Sequence, residues 1–357
     1  MSPLLVRADL RTARPYDNRP FPSAGAPVAP LNNNESPFPP RGRHLEALRD
    51  AAAGALATTN RYPDTDLTAL RTALARYVGH DVRPDMVWPG NGSNEVLLHL
   101  LLAYGGPGRT ALGFGPTYSM HERIAAITGT RWAAGARGGD FGLDAETASA
   151  AVRAHRPHLV FLCAPNNPTG TPLDPATLDA VLSAAPGLVV LDEAYVEFSR
   201  LGSRAGMLSD HPRLVISRTM SKAFGFAGIR AGFLLAAPGV LEPLRLVALP
   251  YHLSTLTTAV ALAALERSEE LLAHVPGILA ERRRVRDALV RAGHDVAPSD
   301  ANFLFFDTGG DSTHVASRLA AHGVLVRDLG PAGWLRVTVG SPDENDAFLR
   351  TLADSSS

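Results

Sequence analysis

GLVVLDEAY (187–195) is a continuous apolar run that ends in polar residues, and two similar runs flank it, HLVFLCAP (158–165) and RLVISRTM (213–220). Such unbroken apolar runs are typical of strands that are covered on both faces. A helical pattern near 174–184 lies between the first two runs. Alternation of this kind predicts a mostly parallel sheet with helices on both sides. Further strands of this sheet are predicted over TALGF (110–114) and GIRAGFLLA (228–236).

Apolar residues at helical spacing predict helices outside the strand region. Two of them cover 44–57 and 66–78, and Asp66 is the expected N-cap of the second. A longer helical stretch covers 257–293 and is expected to break near Pro276, because proline interrupts the hydrogen bonding of a helix.

The chain has 357 residues, which suits one large and one smaller domain. Residues 1–43 are rich in Pro, Arg and Asn and predict an extended N-terminal arm that lies over another part of the protein. The expected fold class is α/β. A large domain over 44–256 holds the mostly parallel central sheet, flanked by helices, and residues 257–357 form a smaller α+β domain.

Composition excludes several classes of protein. The formal net charge is -1, so there is no basic excess to bind nucleic acid or an anionic membrane. No apolar run reaches the length of a membrane span. One cysteine, Cys163, excludes a disulfide framework, and we interpret it as a small core residue, with no metal site expected. The N-terminus shows no signal-peptide pattern, so we expect a cytoplasmic protein.

The chain has 34 Lys and Arg residues in total, and Lys222 is the only lysine among them. Arginine can replace lysine on a solvated surface but cannot supply a nucleophilic amine. The sequence therefore favours a reaction that needs a primary amine, although survival by chance is the competing interpretation. Ligands of parallel sheets bind at the carboxyl ends of strands, where Asn167, Asp192 and Lys222 all fall.

The common fingerprints of other enzyme classes are absent from the sequence. Neither GxGxxG nor GxxxxGK[ST] nor HExxH occurs, which argues against a Rossmann dehydrogenase, a P-loop enzyme and a zinc protease. A dehydrogenase with an unrecognised nucleotide site remains an alternative.

Three motifs instead resemble the fold-type I aminotransferases that use pyridoxal 5'-phosphate (PLP): APNNPTGT (164–171), VLDEAY (190–195) and RTMSKAFGFAGIR (218–230). The resemblance implies that Lys222 holds the cofactor and moves protons during transamination. It also implies that Asp192 faces the pyridine nitrogen, and that Tyr195 and Asn167 hold the ring hydroxyl.

The same resemblance implies a phosphate site and a ring-covering residue. Tyr118 would cover the cofactor ring. The phosphate would meet backbone N–H groups at a helix start, together with hydroxyls and one cation. The residues implied in this role are Gly92, Ser93, Asn94, Thr219, Ser221 and Arg230.

Further motifs narrow the resemblance to the histidinol-phosphate aminotransferases, especially the actinobacterial type. They include LNNNESPFPP (31–40), NRYPD (60–64) and LRVTVG (335–340). The implied reaction transfers the amino group of L-histidinol phosphate to 2-oxoglutarate, giving imidazole acetol phosphate and glutamate in histidine biosynthesis. The resemblance implies a homodimer with shared sites, in which the arm 1–43 packs on the small domain and on the partner subunit. Tyr62 would reach the neighbouring subunit's cofactor phosphate, and Tyr16, Asn34, Arg327 and Arg336 would bind substrate.

Two departures from the family pattern bear on specificity. The arm segment 17–30 is longer than usual, and Ser36 stands where the family commonly has Asn. A paralogue that acts on an aromatic or other free amino acid, or on an intermediate of specialised metabolism, therefore remains an alternative. A PLP decarboxylase of a phosphorylated amino acid is a further one.

Overall fold

The computed structural model describes residues 26–355. Its strands are β1 (Ala29–Pro30), β2 (Val87–Gly90), β3 (Thr110–Gly115), β4 (Arg131–Ala136), β5 (Leu159–Cys163), β6 (Leu188–Asp192), β7 (Leu214–Thr219), β8 (Gly232–Ala236), β9 (Phe303–Asp307), β10 (Val324–Leu325), β11 (Arg327–Asp328) and β12 (Trp334–Thr338). Its helices are α1 (Gly42–Leu56), α2 (Thr68–Val78), α3 (Ser93–Tyr104), α4 (Ser119–Ile127), α5 (Ala145–His155), α6 (Pro175–Ala184), α7 (Pro238–Leu241), α8 (Thr255–Leu265), α9 (Ser268–Leu271), α10 (Val275–Arg291), α11 (Ser312–Ala321) and α12 (Pro342–Ser355).

The central sheet has the strand order β2-β8-β7-β6-β5-β3-β4. The pairs from β7 through β4 are parallel, and β8 runs antiparallel to both of its neighbours. This confirms the predicted mostly parallel sheet. The edge strand β4 was not predicted, because its sequence RWAAGA is half exposed and lacks an apolar run.

Helices cover both faces of this sheet, so its inner strands are buried throughout. Alternate residues of β6 enter opposite hydrophobic clusters. Val189 and Leu191 pack into the larger cluster, and Leu188 and Val190 pack into the cluster on the other face. Burial on both faces explains why the sequence of β6 is continuously apolar.

A second sheet has the antiparallel order β11-β12-β9. Close to it, β1 pairs in parallel with β10, which attaches the end of the predicted arm to the C-terminal part of the chain. A separate hydrophobic cluster packs around these strands with α10, α11 and α12. The domain division at 43/44 and 256/257 stays a prediction.

One local prediction was wrong, and another was confirmed. The cap of α2 is provided by Asp64 rather than Asp66, because the Asp64 carboxylate accepts a hydrogen bond from Thr68 N at 3.2 Å. The long helical stretch breaks near Pro276 as predicted, because α9 ends at Leu271 and α10 begins at Val275. Pro276 lies in the first turn of α10, where a missing N–H costs nothing. A second interruption lies between α8 and α9.

Within residues 26–355, no helix combines the length and the apolar character that crossing a membrane requires.

Candidate active site

A cavity of about 420 Å³ lies at the carboxyl ends of β5, β6 and β7. Segment 33–35 and the strands β11 and β12 complete its wall. Most of the predicted site residues line it, namely Asn34, Ser93, Asn94, Tyr118, Asn167, Asp192, Tyr195, Thr219, Ser221, Lys222, Arg230, Arg327 and Arg336. The topology explains this convergence, because parallel strands bring their carboxyl ends to one edge.

Asp192 ends β6 and is 3% exposed. Its Oδ2 lies 3.0 Å from Nε2 of His121, and its Oδ1 accepts a hydrogen bond from Ala194 N at 3.1 Å. A carboxylate only accepts, so His121 donates from Nε2. The His121 ring is itself buried against Phe161. A buried carboxylate held in this way can keep a facing ring nitrogen protonated.

Tyr195 lies at the centre of a buried polar network. Its hydroxyl accepts hydrogen bonds from Nδ2 of Asn34 at 2.9 Å and from Nδ2 of Asn167 at 3.3 Å. Burial raises the pKa of Tyr195 to about 12. The phenol therefore stays protonated at neutral pH and can donate its own hydrogen to a group in the cavity.

Arg336 joins the same network from β12 and is 6% exposed. Its Nη1 donates to Oδ1 of Asn167 at 2.7 Å, and its Nη2 donates to the carbonyl of Asn32 at 2.6 Å. Its guanidinium also lies over the ring of Phe303, 5.4 Å from the centroid. A cation held in this orientation can bind the anionic group of a ligand.

Lys222 follows β7, and its Nζ donates to the carbonyl of Asn33 at 2.9 Å. Burial, with a contribution from the charge of Arg336, lowers the pKa of Lys222 to about 8. An amine with such a pKa is partly neutral at physiological pH. It can therefore attack a carbonyl or take up a proton.

Hydroxyls and one cation cluster beside the start of α3. Thr219 donates through Oγ1 to Oγ of Ser221 at 3.0 Å, and Nη1 of Arg230 donates to the same Ser221 oxygen at 3.3 Å. Arg230 has a φ of 60°, which is uncommon for a residue with a Cβ atom. Backbone strain of this kind is typical of functional sites.

Gly92 and Gly232 set the distance between this cluster and α3. A Cβ atom on Gly92, whose φ is +81°, would lie 2.5 Å from Nη2 of Arg230. A Cβ atom on Gly232 would lie 2.4 Å from the backbone N of Ser93. Both glycines therefore let the helix start approach the cation, and the N–H groups of the first turn can bind an anion together with it.

Tyr118 precedes α4, and its hydroxyl donates to Oδ1 of Asn94 at 3.1 Å. Its ring packs edge-on against His121, with centroids 5.3 Å apart. The contact between Asn94 and Tyr118 links the start of α3 to the aromatic side chain predicted to cover the ligand.

The role predicted for Tyr62 concerns a neighbouring subunit and stays a prediction. Tyr62 is 80% exposed, stacks on Tyr251 with centroids 4.4 Å apart and does not line the cavity of its own subunit. Tyr16 lies outside the described residues. Cys163 is buried as predicted but also lines the cavity, and burial raises its pKa to about 12.

Two residues of the site, His121 and Glu35, were not predicted from the sequence. His121 carried no signal, since it is 71 residues away from its partner Asp192 in the chain and sits inside an ordinary helix. Glu35 lines the cavity and belongs to the LNNNESPFPP element, which could have drawn attention to it.

Comparison with known proteins agrees with this geometry. The profile of the "Aminotransferase class I and II" family matches residues 26–352. A histidinol-phosphate aminotransferase of Thermobifida fusca is 51% identical over 98% of this chain and 95% of its own. One of Frankia casuarinae is 51% identical over 98% of this chain and 89% of its own.

Among solved structures, a histidinol-phosphate aminotransferase from Sinorhizobium meliloti, in complex with pyridoxal-5'-phosphate, superimposes with a TM-score of 0.84. It is 28% identical and covers 92% of this chain and 91% of its own. The matched fold, the shared sequence and an amine at the carboxyl edge of the sheet lead to one conclusion: the chain belongs to the class I and II aminotransferases, in the histidinol-phosphate aminotransferase family.

Proposed function

We propose that this protein transfers the amino group of L-histidinol phosphate to 2-oxoglutarate with PLP as cofactor, giving imidazole acetol phosphate and glutamate in histidine biosynthesis. The observation that carries the proposal is that the amine of Lys222 shares a cavity with two arginines, Arg327 and Arg336. A phosphate monoester is a dianion, and two guanidinium groups suit it better than one. The relatives of about 50% identity support the same donor.

The donor set of the cavity fits PLP. Asp192, held by His121, would pair with the ring nitrogen, and Tyr195 with Asn167 would hold the ring hydroxyl. A Cβ atom on Gly92 would collide with Arg230, so the glycine lets this cation lie beside the backbone N–H groups at the start of α3, where the cofactor phosphate would bind. Ser93, Asn94, Thr219 and Ser221 would complete that phosphate site, and Tyr118 would cover the ring. When bound, PLP supplies the electron-accepting ring that makes the substrate α-proton removable.

Lys222 performs two tasks in this proposal. Its lowered pKa leaves enough neutral amine to attach the cofactor at physiological pH. Once the donor is bound and the amine is free, the amine would take the proton from the donor α-carbon as a base. It would then give that proton up as an acid. A pKa near the working pH is the value that suits both directions.

The two arginines orient the substrates. Arg336 would bind the anionic group of either substrate, and the hydrogen bonds that its guanidinium donates to Asn167 Oδ1 and to the Asn32 carbonyl fix it in the wall. Arg327 would add a second cation for the donor phosphate. The buried side chains of Tyr195, Asn34 and Asn167 form part of the same cavity wall.

The functional unit in this proposal is a cytoplasmic homodimer with shared sites. Tyr62 lies outside its own cavity and is exposed, which suits a residue that acts on the cofactor phosphate of a neighbouring subunit. Tyr16 of the arm is proposed to close the site.

A donor panel with 2-oxoglutarate tests the function, with glutamate formation as the readout. We expect kcat/KM for L-histidinol phosphate to exceed that for phenylalanine by roughly 10- to 150-fold, the effect of one more charge-assisted hydrogen bond. Lys222→Ala is the negative control and should stay folded while losing nearly all turnover. A preference for phenylalanine would favour the paralogue, and carbon dioxide release would favour the decarboxylase.

A further inference from the structure

Segment 32–35 runs along the cavity wall and meets the reactive groups in chain order. The Asn32 carbonyl accepts from Arg336 at 2.6 Å, and the Asn33 carbonyl accepts from Nζ of Lys222 at 2.9 Å. The Asn34 side chain then donates to the Tyr195 hydroxyl at 2.9 Å. The next residue along the segment is Glu35, which also lines the cavity.

Hydrogen bonds to Thr338 and Asn302 hold segment 32–35 in place. The fold therefore sets the order in which the segment meets these groups. Thr338 donates through its backbone N to the Leu31 carbonyl at 2.8 Å, and its Oγ1 accepts from Asn34 N at 2.9 Å. Asn302 donates through Nδ2 to the Asn34 carbonyl at 3.1 Å. Asn34 itself has a φ of 55°, a value that Asn tolerates better than most residues and that turns the chain just before Glu35.

Glu35 provides one of two carboxylates on the cavity wall, which also carries Lys222 and three arginines. The other carboxylate, that of Asp192, already accepts hydrogen bonds from His121 and from Ala194 N. Over residues 26–355, the Glu35 carboxylate takes part in no hydrogen bond or ion pair that would occupy it. Its charge nevertheless reaches the reacting amine, since it acts to raise the pKa of Lys222 against the larger lowering by burial.

The proposed donor has its groups in a matching order. Its phosphate lies at one end, its amine-bearing carbon in the middle and its imidazole at the other end. With the phosphate at Arg336 and the amine-bearing carbon at Lys222, the imidazole is the group left to meet Glu35. An imidazole N–H is a donor, and a carboxylate is a strong acceptor for it.

We propose that Glu35 determines donor specificity by accepting a hydrogen bond from the imidazole N–H of the donor. This inference rests on the proposed function. The same carboxylate disfavours a dianionic acceptor in that part of the cavity, so 2-oxoglutarate would gain nothing from Glu35.

Half-reaction kinetics of the holoenzyme test this role with Glu35→Leu and Glu35→Gln. In Glu35→Leu, kcat/KM for L-histidinol phosphate should fall roughly 10- to 150-fold, as expected for a lost hydrogen bond to a charged group. Glu35→Gln should lose less, because its amide oxygen still accepts. Reaction with glutamate should change less than about 3-fold in both variants. Glu146→Leu, at an exposed position of α5, is the matched control and should leave both half-reactions unchanged.

A donor that lacks the imidazole ring distinguishes a direct contact between Glu35 and the ring from an effect of Glu35 on Lys222. 2-Aminopropyl phosphate keeps the phosphate and the amine, so wild type and Glu35→Leu should use it equally well. Equal losses with both donors would mean that Glu35 acts only through Lys222 and would overturn the proposal, as would unchanged kinetics with L-histidinol phosphate. If wild type itself does not react with L-histidinol phosphate, the proposed function fails and this inference fails with it.

Discussion

Arg327 and Arg336 are directly opposite each other in the antiparallel pair β11–β12. Opposite residues in such a pair share one face of the sheet, and both side chains line the same cavity. Like charges placed directly opposite destabilise a sheet. An anion bound between them would relieve the repulsion, as the phosphate of the proposed donor would.

Arg327→Leu should therefore distinguish the two half-reactions. Loss of one cation from a dianionic phosphate removes about 1.5–3 kcal/mol, so kcat/KM for L-histidinol phosphate should fall roughly 10- to 150-fold. The half-reaction with 2-oxoglutarate should suffer less, because its α-carboxylate relies on Arg336. Stopped-flow absorbance of each half-reaction measures the difference. Arg350→Leu, on the exposed side of α12, is the control. Small and equal losses in both half-reactions would contradict phosphate binding by Arg327.

The lowered pKa of Lys222 predicts how the cofactor-free protein recombines with PLP. Only the neutral amine attacks the aldehyde of PLP. Since burial lowers the pKa of Lys222 to about 8, the initial rate should rise about tenfold per pH unit below pH 8 and level off above it. The rate is followed by the visible absorbance of the attached cofactor. A rate that still climbs between pH 9 and 10 would show an unshifted amine.

His121→Phe should lower both the stability of the protein and its retention of PLP. The change removes the hydrogen bond to the buried Asp192 carboxylate, which is worth about 1.5–3 kcal/mol for a charged acceptor. We expect a lower urea midpoint and faster loss of PLP on dialysis. His155→Phe, on the exposed end of α5, should change neither. If both variants behave like wild type, the bond between His121 and Asp192 contributes nothing.

Tyr62→Phe should loosen PLP without unfolding the subunit, and hybrid dimers locate the effect. One subunit carries Tyr62→Phe and the other carries Lys222→Ala, so only one site keeps the lysine. If Tyr62 acts across the interface, that site receives an unmutated Tyr62 and should retain PLP as wild type does. If Tyr62 acts within its own subunit, the site that keeps Lys222 has Tyr62→Phe and should bind PLP more weakly. PLP retention during gel filtration separates the two outcomes.

Much of the fold could be predicted because burial on both faces leaves a direct signal in the sequence. The apolar runs that became β5, β6 and β7 carry that signal, whereas β4 does not, since it lies at an edge where half of its residues face solvent. The motifs after these strands were informative for the same reason. Topology brings Asn167, Asp192 and Lys222 together without further specification.

The contacts that were missed depend on side-chain geometry. His121 approaches Asp192 from α4, and nothing local to either residue indicates the pair. Asp64 caps α2 from outside the helix because Leu67 adopts a left-handed φ of 50° at its start, which no sequence pattern indicated. Glu35 belongs to the LNNNESPFPP element, but its place in that element does not by itself show that its carboxylate lines the cavity.

The lone lysine has a practical consequence. Its ε-amine points into the cavity and donates to the Asn33 carbonyl, so the chain carries its only side-chain amine at the reacting centre. Amine-reactive dyes label many surface lysines in most proteins. In this protein they would label only the N-terminal amine and Lys222. The labelled fraction of Lys222 would report the share of centres open to solvent in a preparation. Ordinary bioconjugation chemistry thus becomes a titration of the centres that lack the cofactor, because an attached cofactor would occupy the amine of Lys222.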